Sequence, residues 1–160
     1  MITPYNTIFD NLLSKTHSVI LLEYSEDKSF FLDPKDAFSL LLDAEKTQKR
    51  KVISEETFAI VASRIGKNNQ KIISGHISNL IKKEFGESPH SIIIPGRLHF
   101  TESDALKTIT ECLDETTDNS ADVKSISEQM IEKYVPMVRE ALEEIRPHYD
   151  NLKELSLIHI

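Results

Sequence analysis

Residues 85–100, FGESPHSIIIPGRLHF, contain the short apolar run on which the fold prediction depends. Ser91–Ile94 is rich in β-branched residues and is followed by the Pro95–Gly96 pair, a pattern typical of a buried strand that ends in a turn. His90 and His99 stand on either side of this strand and turn. Because they occupy opposite ends of one strand, we do not expect them to act on the same atom.

Further apolar runs precede this strand and alternate with amphipathic helical patterns. Strands are predicted at His17–Tyr24, with Ser29–Leu32 as a hairpin partner, at Phe58–Ser63 and at Gln70–Ser74. Helices are predicted from Pro4, from Pro34 behind the N-cap Asp33, at Ile77–Phe85, and after a cap at Thr101–Asp104 for the helix that carries Ala105, Ile109 and Leu113. This alternation predicts an α/β fold, a single small mixed β-sheet of four or five strands with flanking helices.

Charge and composition divide the chain into two parts joined by a polar segment. Residues from 114 onward contain eleven acidic and five basic residues, whereas the whole chain has a net charge of −7. Residues 114–122 show no apolar periodicity. We therefore predict a domain at residues 1–113, a linker at 114–122 and an α-helical extension at 123–160.

Overall composition argues against several classes of partner. A chain with 19 basic and 26 acidic residues does not attract phosphate backbones, so no nucleic acid is expected as a partner. The apolar runs are too short for a membrane span, and no leader follows Met1, so we expect a cytoplasmic protein with no membrane association. The single cysteine excludes an internal disulfide, and no histidine pair has metal-ligand spacing. No metal site is predicted.

The residues by themselves do not indicate catalytic groups. No two of the four glycines lie closer than nine residues, which excludes a phosphate-binding loop of the G-x-G kind. Cys112 lies in the apolar context TITECL and is predicted to be a helical packing residue. His99 is predicted to be partly buried and bonded to the backbone, and Lys46–Lys51 to be a solvated loop.

Several motifs occur in an order that is typical of one family. They are Thr3-Pro-Tyr5 at a helix start, His17-Ser18 before an apolar strand, Glu55-Glu-Thr57 before another, Ser63-Arg-Ile-Gly66 after it, and Phe85–Phe100. From Thr3 to about Leu106 the chain resembles the C-terminal half of diphthine synthase. That family belongs to the tetrapyrrole-methylase-like group of S-adenosylmethionine-dependent methyltransferases.

The resemblance implies a two-lobed enzyme that binds S-adenosylmethionine in the cleft between its lobes. Such an enzyme methylates the modified histidine of the archaeal or eukaryotic translocating elongation factor in diphthamide biosynthesis, and it acts as a homodimer. Because the cofactor carries its own leaving group, the protein mainly aligns the attacking amine and excludes water, so no catalytic residue is expected. The family's N-terminal lobe is missing from this sequence, and this chain alone is expected to be inactive.

Four cofactor-binding residues follow from the resemblance. They are Glu23 and Tyr24 at the end of the first strand, Ile65 in the S-R-I-G turn, and His90 in S-P-H. Backbone groups at strand ends can bind an adenine edge, which permits the side chains to vary. The family usually has Asp in place of Glu23 and a small residue in place of Ile65. Arg97 matches the motif, but no role is assigned to it.

The C-terminal part lies outside the resemblance to diphthine synthase. It is predicted to form one helix or two, broken or kinked near Pro136 and Pro147, and to dock loosely through Ile131, Val135 and Val138. Leu155–Ile160 resembles translated sequencing-adaptor read-through and is predicted to be irregular, as expected of a fragment. The alternative to the enzyme is therefore a catalytically inactive interaction module that binds a partner through this acidic helical tail.

Overall fold

The computed structural model describes residues 2–158, with side chains described for residues 2–149 and 151. The chain divides into two compact units, residues 1–123 and residues 124–160. The first unit contains all of the strands described for the chain, and the second contains one long helix.

The first unit is built from short strands that alternate with helices, as the sequence predicts. Its elements are, in chain order, α1 (Ile2–Leu13), β1 (Ser18–Leu21), β2 (Tyr24–Ser25), β3 (Phe30–Phe31), α2 (Pro34–Gln48), β4 (Phe58–Ser63), β5 (Lys71–His76), α3 (Ile77–Leu80), β6 (His90–Ile94), α4 (Phe100–Ile109) and β7 (Glu111–Cys112).

Five of these strands form one mixed sheet in the order β1-β6-β4-β5-β7. The pairs β1/β6, β6/β4 and β4/β5 are antiparallel, and β5/β7 is parallel. The predicted α/β fold with a small mixed sheet is confirmed. The predicted hairpin also forms, but β2 and β3 make a separate two-stranded sheet and do not join the main one.

The main core lies on the sheet face that contacts α1, α2 and α3. Large side chains from all layers are fully buried there, including Tyr5, Phe38, Val61, Ile92 and Phe85. A smaller cluster of Phe58, Ile60 and Leu106 occupies the opposite face beneath α4.

The first strand is exposed on one face, which corrects the prediction of a buried strand at His17–Tyr24. Val19 is 66% exposed and Leu21 is 79% exposed, whereas Ser18 is buried. Because β1 is an edge strand and successive side chains point to opposite faces, only one of its faces contacts the core. The strand also ends at Leu21, and Tyr24 begins β2.

Two segments differ from the predicted helices and loops. Helix α2 continues to Gln48, so the predicted solvated loop Lys46–Lys51 begins within a helix. In the same segment the Arg50 guanidinium donates to Asn6 Oδ1 at 2.8 Å, which also corrects the prediction of a solvated loop. Helix α3 is a single turn that ends at Leu80, because the backbone hydrogen bonds that follow span three residues and not four. The chain then places Phe85 in the core.

Helix capping is confirmed at one helix and corrected at another. Asp33 caps α2 by accepting from the Lys35 N–H at 2.8 Å, with Pro34 in the first helical turn. Helix α4 begins two residues earlier than predicted, because His99 is its N-cap and Glu102 accepts from the His99 N–H at 2.7 Å. His99 thus caps α4, and it is exposed, which corrects the prediction that it is partly buried.

Cys112 is exposed and lies in β7, so the prediction of a helical packing residue is wrong. The helix ends at Ile109, and Thr110 adopts an extended backbone that leads into the parallel pairing with β5. Leu113 follows this strand and its N–H donates to Ser74 O at 2.8 Å.

Residues 114–122 belong to the first unit and are hydrogen-bonded to its other elements through Asp114 and Asn119. Asp114 accepts from the His76 N–H at 2.8 Å and from the Asn79 amide at 3.0 Å, and these bonds lower the pKa of its carboxyl group. Asn119 exchanges hydrogen bonds of 2.8 Å with the backbone of Phe58 and donates to Pro95 O at 2.7 Å.

The second unit is one α-helix, α5 (Ile126–Ile158), with Pro136 and Pro147 inside it. Leu155–Ile158 is helical, so the prediction of irregular structure is wrong for these four residues, two of which are leucines with a high helix propensity. His159 and Ile160, the rest of that predicted segment, lie outside the described residues.

Candidate functional site

The residues predicted to bind a cofactor lie at one end of the sheet. Strand β6 runs antiparallel to both β1 and β4, so it begins where its two neighbours end. Leu21 is paired with Ser91, and Ser63 is paired with His90. This topology brings Glu23, Tyr24, Ile65 and His90 to the same end of three adjacent strands.

His90 is a buried polar residue at this end, together with Ser63 and Arg64. It is 3% exposed, and its Nε2 lies 3.2 Å from Gly86 O, which can only accept a hydrogen bond. The proton is therefore on Nε2, and Nδ1 accepts from the Ser63 hydroxyl at 2.7 Å. Burial lowers the pKa of His90, and the nearby charge of Arg64 lowers it further. The imidazole is neutral at pH 7.

Arg64 holds the turn after β4 against the segment that precedes β6. Its buried guanidinium donates to Phe85 O at 2.8 Å, to Asn69 O at 3.1 Å, and to Glu87 O. Its backbone N–H donates to Pro89 O at 2.9 Å. Arg64 thus fixes the approach of the chain to His90. The place of Arg64 in the S-R-I-G motif is its only signal in the sequence, so this residue was not predicted.

The β2–β3 hairpin places exposed aromatic side chains beside His90. The Phe31 ring centroid lies 6.0 Å from that of His90, and Phe31, Phe30 and Tyr24 are all exposed. Glu23 begins the hairpin, where its carbonyl accepts from the Leu32 N–H at 2.9 Å. The end of the sheet therefore presents apolar and aromatic surface.

Ile65 lies on the other side of this end, directly after Arg64. Its side chain is 57% exposed, and its backbone forms no hydrogen bond with the residues that the structure describes. The neighbouring strand-end N–H groups of Leu22 and Arg64 are instead bonded to His90 O and Pro89 O. Ile65 is thus a strand-end position whose backbone can bind a ligand.

The chemistry available at this end is binding and positioning. Ser63 and His90 are both buried, and the serine hydroxyl donates to the imidazole. Among residues 2–149, no group of three His, Cys, Asp or Glu side chains could hold a metal ion. A search of the described helices found none long and apolar enough to cross a membrane.

The sequence is similar to curated proteins of known name. It is 41% identical over 111 residues to a diphthine synthase of Methanocaldococcus jannaschii, an alignment that covers 68% of this chain and 43% of the relative. The chain is homologous to part of diphthine synthase. Diphthine synthase of Saccharolobus solfataricus is 36% identical over 107 residues, covering 67% of this chain and 41% of the relative. No family model matches.

Solved structures agree with this assignment. A crystal structure of diphthine synthase superposes with a TM-score of 0.60 at 20% identity, covering 70% of this chain and 41% of that chain, which shows a common fold. A candidate diphthine synthase from Entamoeba histolytica gives a TM-score of 0.59 at 25% identity over 66% of this chain and 43% of its own. The chain spans less than half the length of the curated diphthine synthases that it matches.

Proposed function

We propose that the first unit is one lobe of an S-adenosylmethionine-dependent methyltransferase that methylates the modified histidine of the translocating elongation factor in diphthamide biosynthesis. The observation that carries this proposal is the 41% identity to the Methanocaldococcus jannaschii diphthine synthase over 111 residues. Because the match covers 43% of that relative, the complete site requires further residues, and this chain alone is inactive.

The end of the sheet is proposed as one wall of the cofactor site. Ile65 offers exposed apolar surface and a backbone N–H and C=O with no hydrogen bond among the described residues. Tyr24 and the hairpin phenylalanines offer an aromatic surface. These groups fit a nucleoside, whose flat base binds apolar surface and whose polar edge binds backbone groups.

His90 and Glu23 act in this proposal through their backbone positions. Both ring nitrogens of His90 are bonded within the first unit, and its carbonyl accepts from the Leu22 N–H at 3.2 Å. The His90 carbonyl therefore fixes the end of β1, from which Glu23 and Tyr24 follow, while its buried imidazole is held by Ser63 and Gly86. S-adenosylmethionine, when bound, supplies the methyl group and the leaving group. This chain's residues bind it, orient it and exclude water.

The oligomeric state and the cellular location are proposed from the same homology. The exposed apolar side of β1, with Val19 and Leu21, lies beside the proposed cofactor wall. A patch of this kind on an edge strand is typical of a surface that packs against another part of a protein. We propose that it contacts the remaining lobe of the complete enzyme, which acts as a homodimer in the cytoplasm.

A second candidate function rests on the second unit. Its helix carries an apolar stripe that is exposed over its described length, and the chain from residue 114 onward is acidic. These features favour an interaction module that retains the lobe, has no catalytic activity, and binds a partner through the tail.

A chimera distinguishes the two functions. Residues 3–113 of this chain replace the matching residues of the Methanocaldococcus jannaschii enzyme, and transfer of labelled methyl groups from S-adenosylmethionine to the elongation-factor precursor is measured. Methyl transfer above that of a chimera carrying Ile65→Arg supports the enzyme. A folded chimera that transfers no label contradicts it and favours the interaction module.

A further inference from the structure

Helix α5 carries a regular apolar stripe. Its residues follow one another at alternating intervals of four and three: Ile131, Val135, Val138, Leu142, Ile145 and Tyr149. Each of these side chains is between 37% and 64% exposed. An average interval of 3.5 residues keeps such a stripe facing a second helix along its length, which is the spacing of a coiled coil.

The two prolines of the helix lie away from this stripe. With Val135, Leu142 and Tyr149 at heptad position a, Pro136 falls at position b and Pro147 at position f. Positions b and f point away from the seam of a coiled coil. The prolines therefore leave the stripe free to pair with another helix.

We propose that α5 pairs with α5 of a second copy of this chain in an antiparallel coiled coil. Charge complementarity at position e favours a second copy of this chain as the partner. Glu132 and Arg139 both occupy this position, one heptad apart, and Arg146 follows at the next heptad. Glu132 also forms an exposed ion pair with Lys124 within its own chain. In an antiparallel pair the e positions of the two helices face each other, so Glu132 lies opposite Arg139 of the partner subunit, and the pair occurs twice by symmetry. Pairing Glu132 with Arg146 instead would place the two copies of Arg139 opposite each other, which like charges disfavour.

A parallel pair lacks this complementarity. There the e position faces position g of the other helix, and none of the residues at g is acidic: Ser127, Tyr134, Ala141, His148 and Leu155. Arg139 would then have no carboxylate opposite it. The charges therefore select the antiparallel arrangement.

The same pairing of charges sets the register of the two helices. It places Ile131 opposite Leu142 of the partner subunit and Val135 opposite Val138 of the partner subunit. Four consecutive layers of the seam are then aliphatic, because each of these contacts is repeated by the two-fold symmetry. The aliphatic part is about 17 Å long at 1.5 Å per residue, so we expect the pair to dissociate on dilution.

Disulfide trapping tests whether the partner helix belongs to a second copy of this chain and whether the two helices are antiparallel. In a Cys112→Ser background, Ile131→Cys and Leu142→Cys chains are purified separately, mixed and oxidised mildly. Antiparallel pairing predicts a disulfide-linked dimer from the mixture and little from either chain alone. Dimers formed by each chain alone would overturn the antiparallel arrangement, and the absence of any dimer would overturn pairing with a second copy.

A matched pair of substitutions tests whether the apolar stripe of α5 is responsible for the pairing. Val138→Glu places a charge in the seam, whereas Met137→Glu changes a neighbour of similar exposure, 59% against 55%, outside the seam. Glutamate favours helix more than valine does, so α5 is retained, which circular dichroism checks. Val138→Glu is expected to lower the yield of the mixed dimer on the order of tenfold and Met137→Glu to leave it unchanged. Equal yields from the two variants would overturn the proposal.

Discussion

Replacing Arg64 with alanine is expected to destabilise the first unit strongly, because one guanidinium binds three backbone carbonyls. It donates to the carbonyls of Phe85, Glu87 and Asn69, and the residue is only 7% exposed. A hydrogen bond to a charged group contributes about 1.5–3 kcal/mol, and the three share one side chain. We therefore expect Arg64→Ala to lower the free energy of unfolding by about 3–5 kcal/mol.

Amide hydrogen exchange in β4 and β6 measures this change in the first unit separately from α5. A loss of 3–5 kcal/mol corresponds to exchange that is roughly 10²–10⁴ times faster in these strands. Arg97→Ala is the control, because Arg97 is exposed, and its effect should stay within about 0.5 kcal/mol. If amide exchange in Arg64→Ala were no faster than in Arg97→Ala, the stabilising role assigned to Arg64 would be refuted.

Three further changes test other parts of the fold. The pKa of His90 is lowered by burial, so its contribution to the free energy of unfolding is fully present above pH 6.5 and is lost as pH falls from 6.5 through the folded-state pKa. His90→Gln should therefore reduce the pH dependence of this free energy, measured by denaturation between pH 5 and 8, by up to about 1.4 kcal/mol per pH unit. Glu45→Ala should cost about 2–4 kcal/mol in urea unfolding, because its carboxylate accepts from three backbone N–H groups and a buried phenol, whereas the exposed Asp43→Ala should cost less than about 0.5 kcal/mol. Gly96→Ala should lower the melting temperature, since its Cβ would lie 2.5 Å from Thr16 O, and an unchanged melting temperature would contradict that contact.

Periodicity predicted the elements whose burial follows a simple pattern. Strand β4 has the predicted bounds, Phe58–Ser63, because it lies in the centre of the sheet and its apolar run is continuous. At the edge the same reasoning failed, since β1 has an equally apolar run but is exposed on one face. An apolar run does not show which strand will be at an edge, because that depends on pairing with distant segments.

Local helix signals were reliable where the cap and the first turn were both typical. Asp33 followed by Pro34 predicted the start of α2, whereas α4 begins at Phe100 behind His99, whose imidazole is an uncommon cap. Cys112 was misplaced because the strand β7 is only two residues long and forms through pairing with β5. Such a short strand leaves no periodic signal.

The four candidate site residues came from the resemblance alone. No spacing in the sequence brings Glu23, Ile65 and His90 together, because their proximity depends on β6 inserting between β1 and β4. The contribution of Arg64 was missed for a related reason. Two of its three partners are backbone carbonyls on a distant segment, and a carbonyl is present at every residue.

The cofactor affinity of the chimera that carries residues 3–113 tests the central proposal most directly. Ile65→Arg places a bulky cation at the proposed wall, and Ile109→Arg makes the same change at an isoleucine of similar exposure at the end of α4. By isothermal titration calorimetry with S-adenosylmethionine, we predict that Ile65→Arg weakens binding at least about tenfold, roughly 1.4 kcal/mol, and that Ile109→Arg leaves it unchanged. Equal affinities for the two variants would contradict a cofactor site at this end of the sheet.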